Sequence, residues 1–154
     1  VLLLVSTFTL GHTLSLVLAA YDLVRIDGQI IEFLIPVTIL IVALFNVLTA
    51  GKGAQKEKIG VLFFSTLFFG LIHGLGFARE FHMLAGKTDN KFFLLIEFAL
   101  GIEISQVIIV FTVLFLGFLV QTLFRFSKRD WIMVISAIVV GLVIPMILKS
   151  DFLA

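Results

Sequence analysis

Five runs of mostly apolar residues, each long enough to cross a lipid bilayer, constrain this chain more than any other feature. They are Val1–Ala20, Ile30–Ala50, Ile59–Ala78, Phe92–Phe124 and Trp131–Leu148. A membrane-crossing helix needs about 20 such residues, whereas a barrel strand needs about 10 with alternating polarity. The runs here are continuous, so they predict helices. Short polar breaks separate them: Tyr21–Gln29, Gly51–Lys58, Arg79–Asn90 and Arg125–Asp130. The expected fold is an all-α polytopic transmembrane helical bundle, with residues 1–154 as one domain. The fourth run would be roughly 50 Å long at 1.5 Å per residue, against a hydrocarbon core of roughly 30 Å. It must tilt, kink or protrude. Val1 opens directly into an apolar run, so one more span is expected upstream.

Composition agrees. Hydrophobic residues make up 61% and charged residues 14% of the chain. A soluble domain of this size could not bury that much apolar surface. The formal net charge is +1 with no basic stripe, so nucleic acid is not an expected partner. The bilayer is the expected partner, and a homo-oligomer is compatible with the sequence. Cysteine is absent, which leaves imidazole, carboxylate, amide and hydroxyl groups as the only metal ligands available.

Loops 51–58 and 125–130 fall on one side of the membrane. They hold six Lys/Arg, against five on the other side. Because these basic residues sit in very short loops, that side is expected to be cytoplasmic, in a bacterial inner membrane. The opposite side carries Asp22, Asp27, Glu80, Asp89 and Asp151. Such a mouth would concentrate cations, although ordinary solvated loop charge reads the same way. Tyr21 and Trp131 fall at span ends, where interfacial aromatics belong.

Polar residues inside spans cost free energy and are functional candidates by default. The first span carries Ser6, Thr9, His12 and Thr13; the second carries Glu32, Thr38, Asn46 and Thr49. The third carries Thr66 and His73 with Gly70, Gly74 and Gly76, and the fourth carries Glu97, Glu103 and Gln106. The fifth has only Ser136 and reads as scaffold. Counted from the acidic side, His12, His73 and Glu103 lie within roughly 9 Å of one another along the membrane normal. Two imidazoles and a carboxylate at one depth suit a buried divalent metal such as Zn, Ni, Co or Cu(II). Thr9, Asn46 and Gln106 are candidate auxiliary groups, and Glu32 and Glu97 candidate pathway carboxylates. Plainer roles stand beside these. An intramembrane histidine also serves as an interhelical hydrogen-bond partner, and a buried glutamate can be protonated or paired. Gly70 and Gly74 predict close helix packing. His82 reads as a solvated loop residue, and the 18 phenylalanines as lipid-facing or packing material.

Three segments together resemble a known family: Phe8-Thr-Leu-Gly-His-Thr-Leu-Ser-Leu16, Phe69-Gly-Leu-Ile-His-Gly-Leu-Gly-Phe-Ala78 and Phe98-Ala-Leu-Gly-Ile-Glu-Ile-Ser-Gln106. In order and spacing they are similar to the HupE/UreJ membrane proteins, linked to hydrogenase and urease accessory functions. The stretch from Glu32 to Asn46 also resembles that family, and the likeness covers roughly residues 1–120. The resemblance implies nickel or cobalt permease activity, with His12 from the first motif, His73 from the second, and Glu103 and Gln106 from the third. The chain departs from the pattern at Ala99, where the family has Asn, and at Ser105, where it has Gly. Glu97 is an added carboxylate, and the family's upstream helix is not in this chain.

The leading expectation is transport of a divalent transition-metal ion past His12, His73 and Glu103. No ATP-binding loop is visible. The alternative is an intramembrane zinc enzyme, in which two histidines and an acid hold the metal and leave a position open for water. Glu97 or Glu103 would then be the general base. A third reading is a structural subunit whose polar residues only join helices.

Overall fold

The computed structural model describes residues 2–50, 59–86, 90–150 and 152. Among the described residues there are six helices and no strand: α1 Leu2–Ala20, α2 Gly28–Thr49, α3 Ile59–Gly76, α4 Ala78–Ala85, α5 Lys91–Leu123 and α6 Lys128–Leu148. Four of them, α1, α2, α5 and α6, are long and apolar enough to cross a membrane, and α3 with α4 makes a fifth if that bent pair is one span. These helices expose many large apolar side chains, chiefly Leu, Ile, Val and Phe. A soluble monomer rarely exposes contiguous apolar patches beyond a few hundred Å². The chain is an all-α integral membrane protein. Loop 51–58, with the basic residues used for sidedness, and Lys87, Asp89 and Asp151 lie outside the described residues.

The chain groups into two compact units, Val1–Glu32 with Lys56–Val107, and Phe33–Gln55 with Ile108–Ala154. In the first unit, α1 and α3 are closely packed at three glycines. A Cβ on Gly70 would strike the Phe8 carbonyl oxygen, one on Gly74 the Ser15 hydroxyl and the His12 carbonyl, and one on Gly11 the Leu67 carbonyl. Backbone therefore lies against backbone, as expected from Gly70 and Gly74. In a membrane such contact takes the place of the hydrophobic effect, because lipid is as apolar as leucine.

α1 buries polar side chains beside its apolar ones and turns large apolar side chains outward. Thr7, Thr9, His12 and Ser15 are buried, while Leu2, Leu3, Leu10 and Leu14 are exposed. The buried hydroxyls are held by their own helix: Thr7 donates to the Leu3 carbonyl at 2.7 Å and Ser15 to the His12 carbonyl at 3.0 Å. Thr38, Thr49 and Thr66 do the same with Ile35, Phe45 and Leu62. This back-bonding satisfies a hydroxyl without a partner helix. α1 ends in a Schellman arrangement, with the Leu23 N–H on the Leu18 carbonyl and the Asp22 N–H on the Ala19 carbonyl, both at 2.9 Å. Asp22 takes the left-handed conformation that this requires, at φ 58°.

The polar stretch Arg79–Asn90, read from the sequence as a loop, contains helix α4. The chain bends by 45° between α3 and α4, at Phe77. The reason is a two-residue apolar stripe that three charged or polar neighbours hide. Phe81 and Ala85, one turn apart, are buried against Leu16, Ala20 and Leu95, while Arg79, Glu80 and His82 stay exposed. Phe81 is fully buried and meets Phe98 edge-on at 5.7 Å. With Leu95 opposite Leu16 and Ala20, and residues 103–106 reaching Ser6 and Thr9, the first part of α5 runs antiparallel to α1.

In the second unit, α6 starts at Lys128 rather than at Trp131 because Ser127 caps it. The Asp130 N–H donates to the Ser127 hydroxyl oxygen at 3.1 Å, and the Ser127 N–H donates to the Asp130 carboxylate at 3.2 Å. This capping box satisfies two backbone donors that the helix leaves unpaired. Ser127→Ala is expected to cost about 1 kcal/mol, read as a lower melting temperature in detergent. Trp131 then packs on Gly117 of α5, where a Cβ would come within 3.0 Å of the indole nitrogen. α5 is one unbroken helix of 33 residues, and its later part belongs to this unit.

Candidate functional site

A cavity of about 500 Å³ lies within the first unit. Phe8 and His12 from α1, His73 from α3, Phe77 at the α3–α4 break, and Phe98 and Gln106 from α5 line it. The glycine contacts explain why the two histidines share this space. Gly70 sits against Phe8 and His12, and Gly74 against His12, so α1 and α3 meet at the level of both imidazoles.

The two rings differ in their bonding. His73 Nδ1 lies 2.8 Å from the Phe69 carbonyl oxygen. A carbonyl only accepts, so Nδ1 carries the proton and, in the neutral ring, Nε2 keeps its lone pair. His12 is only 2% exposed, and neither of its ring nitrogens has a hydrogen-bond partner. An unpaired buried polar group costs about 1–3 kcal/mol. The Phe8 ring lies 6.3 Å from the His12 ring and 5.3 Å from the His73 ring, and Phe77 lies 5.3 Å from His12. Phe8 and Phe77 thus flank the histidines on the α1 and α3 side of the cavity.

Glu103 is set beside this cavity rather than in its lining. Its carboxylate accepts a hydrogen bond from the Ser6 hydroxyl at 2.8 Å. Among the described residues no three His, Asp or Glu side chains come together closely enough to hold a metal ion. The structure therefore brings His12 and His73 to one cavity and keeps Glu103 apart from that pair. Gln106 lines the cavity and meets Thr9 at 3.3 Å. Glu97 is exposed on α5 and Glu32 is exposed on α2. Asn46 is exposed and belongs to the second unit. His82 is exposed, as a solvated residue would be.

The phenylalanine walls and the Ser6–Glu103 bond are not visible from composition. The walls did leave a signal. Phe8 precedes His12 by four residues, which places that pair on one face of α1; Phe77 follows His73 by four but stands at the α3–α4 bend. Ser6 and Glu103 are 97 positions apart, and no local pattern joins them.

No curated protein and no solved structure matches the chain. The profile described as HupE / UreJ protein matches residues 1–149. The three motifs named above, and the cavity that two of their histidines share, lie inside that match; this chain belongs to the HupE/UreJ family.

Proposed function

We propose that this protein binds a divalent transition-metal ion, nickel or cobalt in character, in the His12–His73 cavity and passes it across the membrane. The observation that carries the proposal is His12: two buried ring nitrogens without partners, lining a cavity shared with an imidazole that in its neutral form has a lone pair on Nε2. Neutral imidazole is a ligand for Ni, Co and Zn alike. Family membership supports a nickel or cobalt accessory or transport role. Glu103, held by Ser6 next to the site, supplies a negative charge along the route; Glu32 and Glu97 are exposed carboxylates available to an arriving cation. In this reading the protein sits in a bacterial inner membrane, with loops 51–58 and 125–130 in the cytoplasm.

The test is elemental mass spectrometry of the purified protein after incubation with Ni²⁺, Co²⁺ or Zn²⁺, wild type beside His73→Ala. One metal ion per chain that is lost in the variant supports the site. Flux into proteoliposomes then separates a carrier from a protein that only holds metal. A wild type that stays metal-free with all three ions removes the reading and leaves the histidines as packing residues.

A further inference from the structure

Thr9 has one hydroxyl proton and two candidate acceptors. Its Oγ1 lies 3.3 Å from the Val5 carbonyl oxygen and 3.3 Å from the side-chain oxygen of Gln106. A hydroxyl can donate to only one of them. If the proton goes to Gln106, the contact with Val5 is not a hydrogen bond. If it goes to Val5, the Gln106 contact becomes a bond once the amide turns over, with Nε2–H donating to a Thr9 lone pair. The second arrangement makes two hydrogen bonds from the same atomic positions; the first makes one. Amide oxygen and nitrogen differ little in shape, so hydrogen-bond accounting is what assigns them. Other hydroxyls in the helices of this chain behave as the second arrangement requires: Thr7, Thr66, Ser105 and Thr112 each give their proton to the carbonyl four residues back.

Gln106 also lines the cavity. The end of its amide that Thr9 does not hold is the end available to His12 and His73. We infer that Thr9 is a positioning residue: by holding the Gln106 amide nitrogen, it turns the amide oxygen into the cavity as a third neutral donor beside the two imidazoles. The inference rests on the metal reading above and gives it a ligand set of two nitrogens and one oxygen, all from side chains that line the cavity. Three residues earlier in the sequence of each helix, Ser6 holds Glu103. The α1–α5 pairing thus presents an uncharged side chain to the cavity and holds the charged one beside it. A second observation points to a ligand at this place, since His12 is buried, unpartnered and part of the same lining.

The experiment is isothermal titration with Ni²⁺ alone on the full chain in detergent micelles. It compares wild type, Thr9→Val, Thr9→Ser, Gln106→Leu and the Thr9→Val/Gln106→Leu double variant. Thr9→Val keeps shape and removes the lone pair, so Ni²⁺ affinity should fall about tenfold, as is typical for loss of a group that orients a ligand. Thr9→Ser should restore it. In the Gln106→Leu background, Thr9→Val should weaken binding no further, because the two residues act as one unit. Melting temperatures of all variants show that each is folded. Wild-type affinity in Thr9→Val, or an equal loss in both backgrounds, overturns the inference while the histidine site stands. A wild type that takes up no Ni²⁺ overturns the metal reading, and the inference goes with it.

Discussion

Replacing His12 by leucine is expected to abolish nickel uptake and at the same time raise the stability of the protein. The two effects have one cause. His12 is 2% exposed, and both ring nitrogens lack a partner. Burying them without compensation costs about 1–3 kcal/mol, which an apolar side chain of similar size does not incur. His12→Leu should therefore unfold later in a detergent melt, by an amount corresponding to about 1 kcal/mol or more. His73→Leu should not, because it gives up the bond to the Phe69 carbonyl. Sites that bind commonly trade stability for function in this way. A lowered melting temperature in His12→Leu would show that the imidazole is bonded in the folded protein and would remove the argument for a ligand there. Retention of stoichiometric nickel would remove His12 as a ligand directly.

The second large effect is structural. Gly74→Leu is expected to separate α1 from α3 and cost about 3 kcal/mol or more, beyond the ordinary range for an overpacked site. The obstacle is the backbone carbonyl of His12 together with the Ser15 hydroxyl, and backbone in a helix cannot step aside as a side chain can. Gly141→Ala on α6 is the matched control. Nothing lies within 4 Å of the Cβ it would add, so alanine should stabilise by roughly 0.5–1 kcal/mol through helix propensity alone. Unfolding of both variants in mixed micelles gives the comparison. Equal stability of Gly74→Leu and wild type would mean that the α1–α3 contact is not made as described.

The spans were legible because hydropathy over about 20 residues is a coarse signal that few local details can cancel. Each observed span helix begins or ends within a few residues of its apolar run. The start of α6 moved because of capping chemistry, Ser127 and Asp130 pulling it back to Lys128, and the end of α3 because the chain bends at Phe77. Helix α4 was hidden because its buried surface is two side chains, Phe81 and Ala85, among residues that read as loop. At the site, His12, His73, Gln106 and the Gly70/Gly74 pair could be picked out one helix at a time, since each stands out against an apolar background. The pairings of Ser6 with Glu103 and of Thr9 with Gln106 could not. They depend on how α5 is rotated and tilted against α1, and that is decided by packing rather than by any local pattern.

The glycine seam has a mechanical consequence. With no side chains between them to compress or reorient, α1 and α3 behave as a single beam at the level of Gly70 and Gly74. His12 and His73 are mounted on that beam, so the spacing between their attachment points is set by direct contact of backbone with backbone. A cavity with one wall fixed in this way can change size only by displacement of its other walls. Those walls are the Phe77 elbow and α5, and in the region of Ser6 and Thr9 what ties α5 to the beam is a pair of side-chain contacts rather than a seam of backbone. The cavity is built like a vice, with one jaw cast in place and the other free to travel.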